Sequence, residues 1–293
     1  MAMARILIVA GSDSGGGAGI QADIKTVTLL GGHAMTAITA LTAQNTLGVT
    51  AVHAVPVEMV IAQIDAVVSD IGVDAIKIGM IGSADIAEAV ADRLDRPDLA
   101  GVPVVFDPVM IATSGSRLAD EATVAAFGRL MRRATVSTPN LDELAALSGM
   151  VVGNEIEIGD AAAYLIDELG SGAVLATGAR LGGGPITSFE NGGRKVISIE
   201  THLFDILFSN ELGEHIWNAE RIDTTQDHGT GCTLASGIAT GLAQGMALPD
   251  AIVRARAFVR AALLAAPGLG KGHGPMGFRA PLSQAREDYE KSS

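Results

Sequence analysis

The chain is poor in cysteine, aromatic residues and positive charge. Cys232 is its only cysteine, and it holds one tryptophan and two tyrosines in 293 residues. A lone thiol excludes an intrachain disulfide and a cysteine-rich zinc site. No apolar run approaches the ~18 residues that cross a bilayer, and RILIVAG near the N-terminus is too short for a secretion signal with its flanks, so a cytoplasmic protein with no membrane partner is expected. Twenty Lys and Arg stand against 33 Asp and Glu, a net charge of -13. No basic patch is available to neutralise a run of phosphates, which argues against nucleic acid as partner. An acidic protein that handles an anion must concentrate positive potential locally, at helix starts, a bound cation or a few basic side chains. The six histidines show no metal-ligand spacing.

What is present is an alternation of short Val/Ile-rich runs with amphipathic stretches. Strands are expected at Arg5–Ala10, Met35–Thr39, Ala75–Ile78, Val104–Phe106, Val136–Thr138 and Ala173–Ala176. Helices are expected at Val57–Asp70, Ala84–Leu94, Asp120–Met131, Leu141–Ser148, Asp160–Leu169 and Asp250–Ala265. That order predicts an α/β fold with a mainly parallel sheet covered by helices on both faces, and a ligand site at the carboxyl ends of the strands. No linker divides the chain, so residues 1–293 are read as one domain. Between Gly178 and Arg221 the pattern changes. Alternating ITSF, an ENGG turn and KVISIE predict a β-hairpin near residues 182–203, and Asp205–Phe208 with Glu214–Trp217 predict a second strand pair. The stretch from 283 to 293 reads as a frayed tail.

The densest chemical signal is Asp227-His228-Gly229-Thr230-Gly231-Cys232-Thr233, followed by an apolar stripe at Leu234, Ile238 and Leu242. A glycine turn feeding a helix start leaves amide N–H groups unpaired beside the positive end of the helix dipole, a setting that binds oxyanions. Cys232 falls in that first turn, where thiolate is favoured and a proton could be accepted. A buried, inert thiol is the alternative for a lone cysteine. His228 is either an aid to anion binding or an ordinary loop histidine.

Near the N-terminus, RILIVA is followed by GSDSGGGAGIQADIKT, a flexible glycine loop able to fold over a small ligand. The apolar face of the next helix is expected from Ile20, Ile24 and Val27. No acidic residue closes the following strand and no lysine with Ser or Thr follows the glycines, so dinucleotide and Walker-type loops do not fit. In TALTAQNTLGV, Gln44 offers one acceptor and two donors, suited to an aminopyrimidine and equally to a turn. Asp107 ends the apolar strand VVFDPVM. In STPNLDELAAL, Asn140, Asp142 and Glu143 fit a helix cap and first turn on structural grounds alone.

The GTGC turn, the N-terminal glycine motif, the Gln44 segment and LGKGHGPMGF at Leu269–Phe278 resemble the hydroxymethylpyrimidine/phosphomethylpyrimidine kinases of thiamine biosynthesis, a branch of the ribokinase-like superfamily. Most of the superfamily has aspartate where this chain has Cys232. The resemblance implies a three-layer α/β/α sandwich with an added hairpin region. It implies a homodimer that uses ATP and Mg²⁺ to phosphorylate a pyrimidine alcohol and then its monophosphate. By the same resemblance Gln44 reads the ring together with Gly11, Ala18, Asp23, Met80 and Val109, although Met80 is equally ordinary core. Asp107 and Glu143 hold magnesium, and Asn140, Thr177 and Arg180 meet the nucleotide. The amides of Gly229, Thr230 and Gly231 stabilise the transferring phosphoryl group, while Cys232 orients or deprotonates the acceptor hydroxyl. Thr177 stands where many members carry lysine, with Arg180 as a possible compensation, and Gln226 and Asp227 replace a more usual Asn and Thr. A pyridoxal kinase and a non-catalytic pyrimidine sensor are the competing readings.

Overall fold

Alternate residues of the first strand feed two separate cores. A computed structural model describes residues 3–113, 115–179, 186–190, 193–197 and 201–278. In it Leu7 and Val9 of β1 (Arg5–Asp13) join one hydrophobic cluster, and Ile6, Ile8 and Ala10 join the other. A strand buried on both faces has that period-two division.

The chain continues through α1 (Gly19–Leu29), β2 (His33–Asn45), β3 (Gly48–Ala54), α2 (Val57–Asp70), β4 (Ala75–Ile78) and α3 (Ala84–Leu94). It then forms β5 (Val104–Phe106), α4 (Glu121–Met131), β6 (Val136–Ser137), α5 (Leu141–Ser148), α6 (Glu155–Asp167) and β7 (Val174–Ala179). After β8 (Ile186–Glu190) and β9 (Gly193–Ile197) come β10 (His202–Ser209), β11 (Gly213–Glu220), α7 (Thr230–Ala243) and α8 (Leu248–Leu264). The main sheet has nine strands in the order β11-β10-β7-β6-β5-β4-β1-β2-β3. Its centre, from β2 to β7, is parallel; β3 pairs antiparallel at one edge, and β10 and β11 do so at the other. Helices α2 to α6 cover one face, with Ile64, Val90, Phe127 and Leu165 in the core beneath them. Helices α1, α7 and α8 cover the other, with Val27, Ile238 and Ile252 inside. This is the α/β/α sandwich expected.

The second strand pair is present as β10 and β11. Strands β8 and β9 pair antiparallel with each other as a separate two-stranded sheet; of the hairpin expected near 182–203, residues 182–185, 191, 192 and 198–200 lie outside the described residues, as does the tail at 283–293. Two differences from the sequence reading have plain causes. Helix α6 starts before Asp160 because Asn154 caps it, its side chain accepting from the Glu157 amide at 3.1 Å. On α1, Ile24 is 38% exposed rather than buried, and Asp23 turns inward instead, where a buried lysine receives it. Among the described residues no helix is long and apolar enough to cross a membrane.

Helix α7, which starts at the anion turn, packs closely on α8. A Cβ on Gly237 would lie 2.8 Å from the Ala255 Cβ, and one on Gly241 would lie 2.6 Å from the Ala251 Cβ. Gly237 and Gly241 therefore serve the α7–α8 seam, which fixes the start of α7 over the strand ends.

Candidate active site

A cavity of about 1380 Å³ opens along the carboxyl ends of the parallel strands. Gly11, Ala18, Gln44, Met80, Asp107, Val109, Asn140, Glu143, Thr177, Gly229, Thr230, Gly231 and Cys232 all line it. Arg180 lies outside the described residues.

Asp23 does not line the cavity, contrary to the ring-binding place the resemblance implied. It is fully buried, accepting from Lys77 Nζ at 3.1 and 3.0 Å and from Ser236 Oγ at 2.7 Å. Lys77, overlooked in the sequence because it sits inside the apolar strand AIKI, reaches the cavity floor with its Nζ 4.0 Å from Asp107 Oδ2. Burial works against its charge, but Asp23, Cys232 and Asp107 together hold the ammonium above its ordinary value. The cavity thus has a fixed cation beneath it, which a lysine in a strand buried on both faces could have signalled.

The anion turn is built by Gly229. Its φ is +89°, and a Cβ there would lie 2.0 Å from the Gly17 carbonyl oxygen, so both conformation and contact require glycine. Gly229 has no side chain to cap α7, and the first amide in the turn to close well onto the helix is that of Thr233, donating to the Gly229 carbonyl at 2.9 Å. Before it, the Thr230 amide makes only a long 3.4 Å bond to the Asp227 carbonyl, the Gly231 and Cys232 amides have no partner among the described residues, and all three residues line the cavity, as an oxyanion cradle needs. Cys232 sits among them, in surroundings that oppose the thiolate expected at a helix start. Burial pushes the thiol up to about 12; Lys77 pulls against this, while Asp23 and Asp107 push further.

The glycine loop is tied down rather than free. The Asp13 carboxylate accepts from the amides of Gly15, Gly17 and Ala18 at 2.7, 2.8 and 2.9 Å, and Lys25 Nζ donates to the Gly16 carbonyl at 2.7 Å. Burial opposes the Asp13 charge, yet His228 and the loop amides hold it below the ordinary value. Met80 is 8% exposed and serves both core and cavity; its sulfur packs against Gly11, where a Cβ would stand 2.9 Å from it.

Asn140 and Glu143 form a capping box on α5. The Glu143 amide donates to Asn140 Oδ1 at 2.9 Å and the Asn140 amide to Glu143 Oε2 at 3.0 Å. Glu143 also faces Asp107 across the cavity. Burial, and then the Asp107 charge, push Glu143 up to about 8. Asp107 rises to about 6, chiefly by burial, with Lys77 opposing. Asp107 Oδ2 is buried with no hydrogen-bond partner. Two desolvated carboxylates, one with an orphaned oxygen, fit a divalent cation that keeps water and phosphate ligands. Among the described residues no group of three or more His, Cys, Asp or Glu forms an all-protein metal cage. The Thr177 amide donates to the Pro139 carbonyl at 2.9 Å, and its hydroxyl lies 3.3 Å from the same oxygen.

The family model for phosphomethylpyrimidine kinase matches residues 13–277. The chain belongs to that family. It is 43% identical over 272 residues to a hydroxymethylpyrimidine/phosphomethylpyrimidine kinase of Streptomyces coelicolor, covering 92% of this chain and 93% of the relative. It is 44% identical to a thiamine biosynthesis bifunctional protein of Geobacter sulfurreducens, of which it spans 51%. Among solved structures, the ADP complex of Bacillus subtilis pyridoxal kinase superimposes with a TM-score of 0.79 at 32% identity, covering 95% of this chain and 98% of that one. The ribokinase-like architecture is common to this family and that structure.

Proposed function

We infer that this protein is an ATP-dependent kinase of thiamine biosynthesis that phosphorylates the hydroxymethyl group of 4-amino-5-hydroxymethyl-2-methylpyrimidine and then the resulting monophosphate. The observation that carries this reading is the layout of one cavity. The Gly229–Cys232 turn, the buried Lys77 cation, the paired carboxylates Asp107 and Glu143 and the Gln44 amide all line it. Phosphoryl transfer asks a protein chiefly for positioning and charge stabilisation, and this arrangement supplies both.

In this reading Gln44 and the walls formed by Gly11, Ala18, Met80 and Val109 hold the ring. The amides of Gly229, Thr230, Gly231 and Cys232 receive the phosphoryl oxygens, with Lys77 adding positive potential from below. Cys232 orients the acceptor hydroxyl as a neutral thiol. Asn140 and Thr177 border the nucleotide. Asp107 and Glu143 are the residues that would hold Mg²⁺, which when bound neutralises charge on the nucleotide phosphates. One kinase domain, acting as a homodimer in the cytoplasm, completes the proposal.

Pyridoxal is the competing acceptor, favoured by the likeness to the Bacillus subtilis structure. The test is ADP release by the purified protein with ATP and Mg²⁺, given hydroxymethylpyrimidine, its monophosphate or pyridoxal. Turnover of both pyrimidines is expected. Turnover of pyridoxal alone moves the assignment, and silence with all three leaves a pyrimidine-binding sensor.

A further inference from the structure

His228 is one residue before the anion turn, and it too lines the cavity. It is 6% exposed. Its backbone amide donates to the Gly274 carbonyl at 3.1 Å, and its ring fills the space beside Gly17, where a Cβ would lie 2.5 Å from the His228 Cδ2. The residue is therefore held through its backbone by the C-terminal segment, with its ring against the glycine loop.

Its two nitrogens are not equivalent. Nε2 lies 3.1 Å from Asp13 Oδ2 and 3.0 Å from the side-chain amide of Gln44, while Nδ1 lies 3.3 Å from Thr113 Oγ1. Asp13 already accepts from three loop amides and is an ionised carboxylate, so it can only accept. Nε2 must then carry a hydrogen, in the neutral ring and in the imidazolium alike. A second donor cannot face that hydrogen, and the oxygen and nitrogen of an amide are assigned by such constraints. Gln44 must therefore turn its carbonyl oxygen to His228. Its NH₂ then falls toward Thr42 Oγ1, 3.2 Å from the other end of the amide, and Thr42 accepts while its own hydroxyl donates to the Ser12 carbonyl at 3.0 Å. Every donor in the chain Asp13–His228–Gln44–Thr42–Ser12 then meets an acceptor. The opposite Gln44 orientation breaks it at His228.

We propose that His228 is a specificity-determining positioning residue, which locks the Gln44 amide in a single orientation so that the pocket favours an aminopyrimidine over a pyridine aldehyde. This rests on the kinase reading above. The locked amide keeps one N–H and one oxygen lone pair for the ligand, a match for a ring nitrogen beside an exocyclic amine. A ring without that amine leaves the second lone pair of the oxygen without its ligand donor in a half-buried site, and sites built to pair a polar group discriminate against ligands that lack it.

The test combines a spectrum with kinetics. Long-range ¹⁵N–¹H spectra of the ¹⁵N-labelled protein, with the signal assigned by its loss in His228→Gln, should show Nε2 protonated; a neutral ring protonated on Nδ1 alone overturns the proposal. His228→Phe keeps a ring but loses the N–H, and should raise KM for hydroxymethylpyrimidine about tenfold or more while KM for ATP stays unchanged. Its preference for pyrimidine over pyridoxal should fall by a similar factor. His228→Gln, whose amide N–H can stand in for Nε2–H, should recover most of the loss, and in a Gln44→Leu background His228→Phe should add little. Equal losses toward all substrates that add in full to Gln44→Leu would show a merely structural histidine and overturn the proposal. If the wild-type protein phosphorylates neither pyrimidine, the kinase reading fails by that result alone, and the ¹⁵N spectrum still decides whether His228 locks Gln44.

Discussion

Lys77 and Asp23 form an ion pair sealed from solvent, with Nζ 3.1 and 3.0 Å from the two carboxylate oxygens and both side chains 0% exposed. A pair in that position contributes little net stability over an apolar pair of the same shape, because desolvation cancels much of the attraction. Its presence under the amide cradle points instead to function. In the proposed reading it places a permanent positive charge beneath the phosphoryl oxygens, and Asp107, 4.0 Å from Nζ, shares that charge.

Breaking the pair should be far worse than removing it. Lys77→Met leaves Asp23 and Asp107 buried without a counter-charge and should destabilise the protein by about 3–5 kcal/mol in urea unfolding. Lys77→Met with Asp23→Leu should recover a substantial part of that stability while remaining slow in phosphoryl transfer. A double variant whose cost equals the sum of the single costs would disprove the coupling.

The Asp107–Glu143 pair predicts an unusual pH dependence. Both groups titrate higher in the folded chain than the ordinary carboxylate range, Asp107 at about 6 and Glu143 at about 8, chiefly through burial. The folded state then holds protons that the unfolded chain has released, so this contribution to stability is complete below the ordinary carboxylate values and is lost as pH rises toward about 8. Without Mg²⁺, the melting temperature of the wild type should fall relative to that of Glu143→Gln between pH 5 and 8. Binding of Mg²⁺ with nucleotide should release protons, visible as a buffer-dependent heat in calorimetry. A stability difference that does not vary with pH would contradict the assignment.

Much of this architecture is legible in the amino-acid order. The helices Val57–Asp70, Ala84–Leu94 and Leu141–Ser148 and the strands Ala75–Ile78 and Val104–Phe106 fall where periodicity puts them. For the last of these helices the N-cap is legible too, since Asn140 accepts from the Glu143 amide as its position predicts. Strand β3 escaped because GVTAVHA is an exposed edge strand, five of its seven residues facing solvent, so no buried face marks it. The site divides in the same way. Cys232, the cradle glycines and the carboxylates lie in short local motifs. Lys77 and His228 acquire their meaning from Asp23 and Asp13, 54 and 215 residues away in the chain, and no local spacing encodes those partners.

Cys232 offers the sharpest test of proton handling, since it is the chain's only thiol and any alkylation reports on it alone. With the thiol pushed up to about 12, the iodoacetamide rate should be low at neutral pH and still climbing above pH 9. Lys77→Met should slow it further, because Lys77, more than the Gly19 amide, favours the thiolate. A rate that levels off below pH 8 would mean that the free protein already holds a thiolate, and would restore Cys232 as a base in the ground state. If the thiol is neutral, Cys232→Ala should lower kcat by about 10²-fold or more and leave KM for ATP nearly unchanged, since what is lost is the orientation of the acceptor hydroxyl and its proton in the transition state. The acceptor proton then leaves late, after most of the bond to the departing ADP has broken, as a loose phosphoryl transition state permits.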